Sequence, residues 1–354
     1  NGLIGKEVDP AKTAVLTIFG ALSMNEGVFT LIPLCVSIIM AMGYDRITGF
    51  AAAVMGLTAG FGSGLVNVYT IGTAQQILGL PMFSGLWYRA IGLVFFTVAD
   101  VLYLVWYADR IRKDPSKSYC KDEYLASRDT LIESEGGPDE AFTWKHIVIL
   151  LIFFGTLALK PVGSLLWGWG MVQMNAINLM AAGLIMVVLW QNVNTSCKIF
   201  MSGCMKIVPA AIAVGASAAV VVLLEQSKIL DTIVHAMATL LMNRSVLITL
   251  VLLFLFVVAF NALLASGSGK AVILMPIFGP LAELLNINRQ VIAHLYIWGD
   301  GFTNYLWTGA LPLAEMCDVS WTQWFRYAWK IMSILSIIGL GMVIVANGSG
   351  FGPF

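Results

Sequence analysis

Charge is what this sequence has least of. Asp, Glu, Lys and Arg make up 11% of its 354 residues, against roughly 25% in a soluble domain. Hydrophobic residues make up 59%, and the mean hydropathy is +0.85, which excludes an ordinary soluble globular chain. Basic and acidic residues cancel, at 20 each, so the basic surface that a nucleic-acid partner needs is missing. Histidine is limited to His146, His235 and His294, isolated from one another and each near an expected interface. There is no H-E-x-x-H, no P-loop and no G-x-S-x-G, so an ATP-driven pump, an intramembrane metalloprotease and enzymatic activity in general lack support. Cys35, Cys120, Cys197, Cys204 and Cys317 form no C-x-x-C pair and read as buried or loop thiols. The polar start, Asn1–Pro10, is not followed by a leader-cleavage pattern.

What the chain has instead is a succession of apolar runs, among them Ile147–Leu159, Val246–Phe260 and Ile331–Val345. These place it among polytopic α-helical membrane proteins, with the lipid bilayer as solvent. Two stretches interrupt the apolar sequence with glycines, small polar residues and a charge: Ser266-Gly-Ser-Gly-Lys-Ala271 and Gly299-Asp-Gly-Phe-Thr-Asn304. A weaker pair occurs earlier, Ser23-Met-Asn-Glu-Gly27 and Gly62-Ser-Gly-Leu-Val-Asn67. Hydrocarbon tolerates irregular backbone only where protein or water satisfies the freed N–H and C=O groups. Paired breaks in corresponding positions of two halves point to the binding site of a secondary transporter.

The expected fold is therefore an all-α integral membrane protein, an inverted-repeat transporter with two re-entrant hairpins and two broken transmembrane helices. The first repeat is expected over 1–110, with a hairpin at 13–42, a broken helix at 47–80 interrupted at Gly62–Asn67, and a helix at 90–107. A cytoplasmic linker covers 111–143. The second repeat, 144–354, is expected to hold scaffold helices over 144–224, an interfacial helix over Ile229–Asn243, and a hairpin at 245–285 with its tip at Ser266–Lys270. A broken helix at 289–316, interrupted at Gly299–Asn304, an interfacial segment Trp321–Lys330 and a last helix at 331–345 complete it. Scaffold helices matching 144–224 have no counterpart ahead of the first hairpin, so the chain is expected to begin inside its first repeat. With the linker in the cytoplasm, most Lys and Arg residues fall on the inner side, six of them on the linker itself and its flanks, and the two repeats come out inverted.

The breaks carry the candidate chemistry. Half-helix N-termini attract carboxylates, and half-helix C-terminal carbonyls coordinate Na⁺ together with Asn, Ser and Thr oxygens. Candidate substrate-binding residues are Asn25, Glu26, Gly27, Asn67, Ser266, Gly267, Ser268, Gly269, Lys270, Asp300, Thr303 and Asn304. Candidate Na⁺ ligands are Ser63, Asn67, Asp300 and Asn304; Na⁺ or H⁺ is the expected coupling ion, and no other cofactor is expected. Glu26, Lys270 and Asp300 are the charges deepest in the expected membrane core, where ionisable groups default to a functional reading. The competing reading is a structural ion pair that holds the breaks together. Asp100 lies in an unbroken span and reads equally as a bundle-facing structural carboxylate or a weak proton relay.

At these residues the sequence resembles the C4-dicarboxylate anaerobic carrier family, in particular its YfcC-like branch, within the ion transporter superfamily. The matching segments are Met42-Gly-Tyr-Asp45, Gly60-Phe-Gly-Ser-Gly-Leu-Val-Asn67, Arg112-Lys-Asp-Pro-Ser-Lys117, Leu224-Glu-Gln226 with Ile229-Leu-Asp-Thr-Ile233, Ser266-Gly-Ser-Gly-Lys-Ala-Val-Ile-Leu-Met-Pro276 and Gly299-Asp-Gly-Phe-Thr-Asn304. The chain departs from the family at Leu306-Trp-Thr-Gly309, where relatives carry a Pro-Thr-Ser-Gly-like run, and after Glu26. The resemblance implies a bacterial inner-membrane carrier, often dimeric, with a scaffold and a mobile transport domain, running on an ion gradient or by exchange. The expected function is ion-coupled or exchanging transport of a small carboxylate-bearing metabolite, a C4-dicarboxylate or an amino acid, by alternating access. A basic amino acid antiporter is the nearest competitor; an ion channel or a membrane assembly subunit are the rivals from other classes.

Overall fold

The computed structural model describes residues 31–65, 67–125, 143–167, 169, 171–190, 192–229, 232, 236, 239, 241, 244–264, 266–307 and 309–352. The first tip and its three candidates, Asn25, Glu26 and Gly27, lie outside the described residues, as do most of the linker and of the expected interfacial helix at 229–243.

Among the described residues the chain is helical, with no strand. Helix α1 (Leu31–Ala41) packs on α2 (Arg46–Ser63), which Asp45 caps by accepting from the Thr48 amide. A π-helical turn (Val68–Gly72) and the short α3 (Thr73–Ile77) follow, then α4 (Leu86–Lys113). Next come α5 (Trp144–Trp167), α6 (Met171–Leu189) and α7 (Val193–Gln226), and then α8 (Val246–Phe260) and α9 (Gly267–Leu284). Helix α10 (Arg289–Thr303), a 3₁₀ turn (Asn304–Leu306), α11 (Leu311–Glu315) and α12 (Trp321–Gly348) complete the order. Helices α4 and α12 are long and apolar enough to cross a membrane. The 15 residues of α8 reach about 22 Å, short of a hydrocarbon core of about 30 Å.

The core sits around α2 and α10. Every residue from Ile47 to Ser63 and from Gln290 to Thr303 is buried. A helix apolar on all sides and buried on all sides is an inner element. Helix α10 packs against α2, α8, α9 and α12, and α4 closes the bundle against α2 and α12. Helices α5 and α6 pack on each other, and α7 meets α11.

Three boundaries differ from those expected. The second tip is the non-helical stretch beginning at Asn261, and α9 already starts at Gly267, because the Ser266 hydroxyl caps the Gly269 amide and draws the glycines into the first turn. Helix α10 runs through Gly299–Thr303, so the second interruption begins at Asn304, one turn later than expected. Trp321–Lys330 is the first part of the 28-residue α12, not a separate interfacial helix, since Ser320 and Gln323 form a capping box that starts the helix there.

Candidate functional site

The two interrupted helices cross at their breaks. A Cβ on Gly301 would lie 2.3 Å from the Gly62 Cα, and one on Gly62 would lie 2.4 Å from the Phe302 ring. Backbone touches backbone there, as glycine alone permits. Two residues on, α2 ends at Gly64, which adopts φ 61°, the left-handed conformation of a helix C-cap.

Arg89 of α4 supplies what the freed carbonyls need. It is fully buried, and its Nε donates to Gly64 O at 2.9 Å. Its Nη2 donates to Leu65 O at 3.3 Å and Phe83 O at 3.1 Å, and its Nη1 to Ser84 O at 2.6 Å. The guanidinium thus binds the negative end of α2 to the 83–84 loop. Gln75, Ser84, Gln290 and His294 form a hydrogen-bonded net behind it, with Ser84 Oγ donating to Gln290 Oε1 at 2.8 Å. His294 is fully buried, enclosed by Tyr88, Trp298 and Phe351, because α10 lies at the centre of the bundle.

The second break is organised by Asn261. Its amide nitrogen donates to Gly299 O (3.2 Å), Asp300 O (3.0 Å) and Thr303 Oγ1 (2.6 Å), while its oxygen accepts from the Lys270 ammonium. Lys270 also forms an ion pair with Asp300, both side chains being fully buried. A Cβ on Gly267 would lie 2.6 Å from Thr70 Cγ2 and 3.0 Å from the second Asp300 oxygen, so Thr70, on the π-helical turn after the first break, and Asp300, before the second, border the same point at the N-terminus of α9. The Gly267 carbonyl accepts from the Tyr296 hydroxyl.

The expected residues separate into those that converge and those that do not. Gly267, Lys270, Asp300 and Thr303 meet at the α9 N-terminus. Asn304 follows directly, and its Oδ1 is buried without a hydrogen-bond partner, as is Thr70 Oγ1. Ser266 is spent as the cap; Ser268 and Gly269 are half-buried on the first turn of α9. Of the candidate Na⁺ ligands, Ser63 donates its hydroxyl to Gly60 O at 2.6 Å, and Asn67 Oδ1 accepts from the Thr70 amide at 3.2 Å. Asn261, Arg89 and Tyr296 were missed. An Asn at the end of an apolar arm and an Arg at the edge of an apolar span were the available signals.

The sequence profile of the C4-dicarboxylate anaerobic carrier family (DcuC) matches residues 12–348. An uncharacterized protein of Haemophilus influenzae is 27% identical over 340 residues, 94% of this chain and 66% of that protein. The protein of Escherichia coli K12 named "Putative basic amino acid antiporter YfcC" is 25% identical over 358 residues, 97% of this chain and 70% of that one. The chain thus spans about two thirds of the length of these relatives. The solved YdaH transporter of Alcanivorax borkumensis superposes with a TM-score of 0.49 at 16% identity, covering 97% of this chain and 84% of that one. The MtrF efflux pump of Neisseria gonorrhoeae superposes at 0.48 and 17%, covering 95% and 74%. With the profile running nearly end to end, the chain belongs to the C4-dicarboxylate anaerobic carrier family, a family of carriers rather than enzymes.

Proposed function

We propose that this chain is a secondary carrier of the bacterial inner membrane that moves a small amino acid by alternating access, binding it at the α9 N-terminus, where Asp300 and Thr70 border Gly267, with Asn304 on the turn that follows α10. The observation that carries this reading is the buried Asp300–Lys270 pair at a helix N-terminus, bordered by unpaired polar oxygens. A free ammonium group finds Asp300 and the Asn304 and Thr70 oxygens; a free carboxylate finds the first-turn amides of α9 and Lys270. A zwitterion satisfies both ends at once. The name of the E. coli relative favours a basic amino acid.

The family description favours a second reading, a C4-dicarboxylate. Its second carboxylate would have to face Asp300 in a low-dielectric site, which costs more than the Lys270 contact returns. In this proposal α8 with α9 forms a re-entrant hairpin, the breaks belong to inverted repeats, and α5–α7 belong to a scaffold that dimerises with a second copy.

Uptake of labelled arginine into proteoliposomes, competed by ornithine, alanine and succinate, separates the readings. Amino acids compete and succinate does not if the proposal holds; competition by succinate alone selects the dicarboxylate, and no uptake of either class under any gradient or in exchange sinks the carrier reading. Asp300→Asn and Asn304→Ala each lower uptake by about 100-fold; Asn304→Ala leaves the melting temperature within a few degrees, whereas Asp300→Asn, which leaves Lys270 without its counter-charge, also lowers it. Wild-type uptake in both variants would move the site elsewhere.

A further inference from the structure

We infer that Lys270 and Arg89 are tethered cations, each standing in the position where a carrier with broken helices would hold a metal coupling ion, so that this carrier binds no Na⁺ at either described break. The inference rests on the carrier reading above and deepens it by assigning its coupling.

A metal ion at a broken helix is held by the carbonyls of a half-helix C-terminus and by neighbouring amide, hydroxyl and carboxylate oxygens. At the first break those carbonyls are Gly64 O and Leu65 O, and the Arg89 guanidinium already occupies them. Nearby, Ser63 Oγ donates to Gly60 O and Asn67 Oδ1 accepts from the Thr70 amide. Among the described residues no carboxylate pairs with Arg89, so its charge is balanced by the negative end of α2, just as a bound cation would be.

At the second break, the oxygens a hard cation prefers are an amide oxygen and a carboxylate, here Asn261 Oδ1 and Asp300, and the Lys270 ammonium contacts both. Asn261 cannot turn away, because its nitrogen is fixed to Gly299 O, Asp300 O and Thr303 Oγ1. Lys270 also sits in the first turn of α9, the positive end of the helix, where a cation is unfavourable on helix grounds alone. Standing in for a cation between Asn261 and Asp300 accounts for that placement. A side-chain cation cannot dissociate with the substrate, so no metal gradient is transmitted through these sites.

The test uses the full chain in proteoliposomes and in detergent. Wild-type arginine exchange runs at rates within about twofold in Na⁺, K⁺ and choline media, and Na⁺ gives the purified protein no specific thermal stabilisation over choline. Lys270→Ala opens the Asn261–Asp300 oxygens, and Na⁺ at about 100 mM then raises its melting temperature by roughly 4 °C over choline, a shift absent in Lys270→Arg. A more than tenfold Na⁺ requirement for wild-type exchange, a wild-type Na⁺ stabilisation equal to that of the variant, or a folded Lys270→Ala protein without a Na⁺ shift overturns the inference. Should Lys270→Ala not fold, the wild-type melting curves in the two salts decide. The melting curves need no transport substrate, so failure of arginine uptake counts against the amino acid reading alone.

Discussion

At the scale of single residues, the tightest constraint is the Gly62–Gly301 crossing. A methyl group on Gly301 points into backbone, which cannot give way as a side-chain tip can. Gly301→Ala is therefore expected to cost about 3 kcal/mol or to force the two breaks apart. Either result shows as a lowered melting temperature together with lost uptake, and a variant with wild-type melting and uptake would mean that the helices do not cross there. Asp100 behaves in the opposite way. Both of its carboxylate oxygens are buried without a hydrogen-bond partner. It lies on α4, which packs against α2, a helix with no ionisable residue beyond Arg46, and against α12, whose Tyr327 hydroxyl is likewise buried and unpartnered. A carboxylate left without donors destabilises its surroundings. Asp100→Asn is expected to melt at or above the wild-type temperature with uptake retained. A loss of several degrees would reveal a partner for the carboxylate, and a loss of uptake alone would restore the proton-relay reading.

At the scale of elements, the segments around Asp45 and Asp114, far apart in sequence, are joined in the fold. Asp45 caps α2 through the Thr48 amide and also accepts from Tyr107 Oη at 2.8 Å and Ser118 Oγ at 2.6 Å, tying the start of α2 to the end of α4 and the segment after it. Asp114 caps a 3₁₀ turn over Pro115–Lys117 that follows α4, and its hydrogen bonds to Ser116 and its pairing with Lys117 hold its carboxyl below the usual range. Burial, with Asp45 next to it, pushes the Cys120 thiol up to about 11. The protonated thiol therefore belongs to the folded state, and its contribution is complete at neutral pH and fades as pH rises towards that value. Asp45→Ala should cost about 2 kcal/mol or more through the lost cap and the orphaned donors, and should make Cys120 open to maleimide at neutral pH. Equal labelling of wild type and variant would contradict the fastening.

The sequence made much of this legible. Glycine and polar clusters in apolar runs marked the helix interruptions after Ser63, after Thr303 and between α8 and α9, since hydrocarbon leaves few other reasons for them. Boundaries moved by about a turn because caps decide them: Ser266 pulled the glycines into α9, and the capping box at Ser320 began α12 early. Arg89 was illegible as a site residue. From sequence an arginine near a span end is a topology signal, and only the fold shows it turned inward onto the carbonyls of another helix.

At the scale of the whole molecule, α2 and α10 touch at Gly62 and Gly301, so in the proposed alternating access the two breaks would move together past other elements rather than bend at the site. The charge moved in the proposed cycle then follows from the proposed site. Lys270 and Asp300 cancel and stay with the protein. If no metal ion travels, the cycle carries the charge of the solute alone. A cationic amino acid moving by itself gains about 2.3 kcal/mol per 100 mV of inside-negative potential, or about 50-fold accumulation at equilibrium. Exchange of one cationic amino acid for another gains nothing. A potassium diffusion potential set with valinomycin should therefore drive net arginine uptake and leave arginine–ornithine exchange unchanged, while uptake of a neutral amino acid ignores the potential. Potential-driven uptake of a neutral amino acid would mean that a second charge travels with the solute, and the self-neutralised site would then be the wrong description of how this carrier is driven.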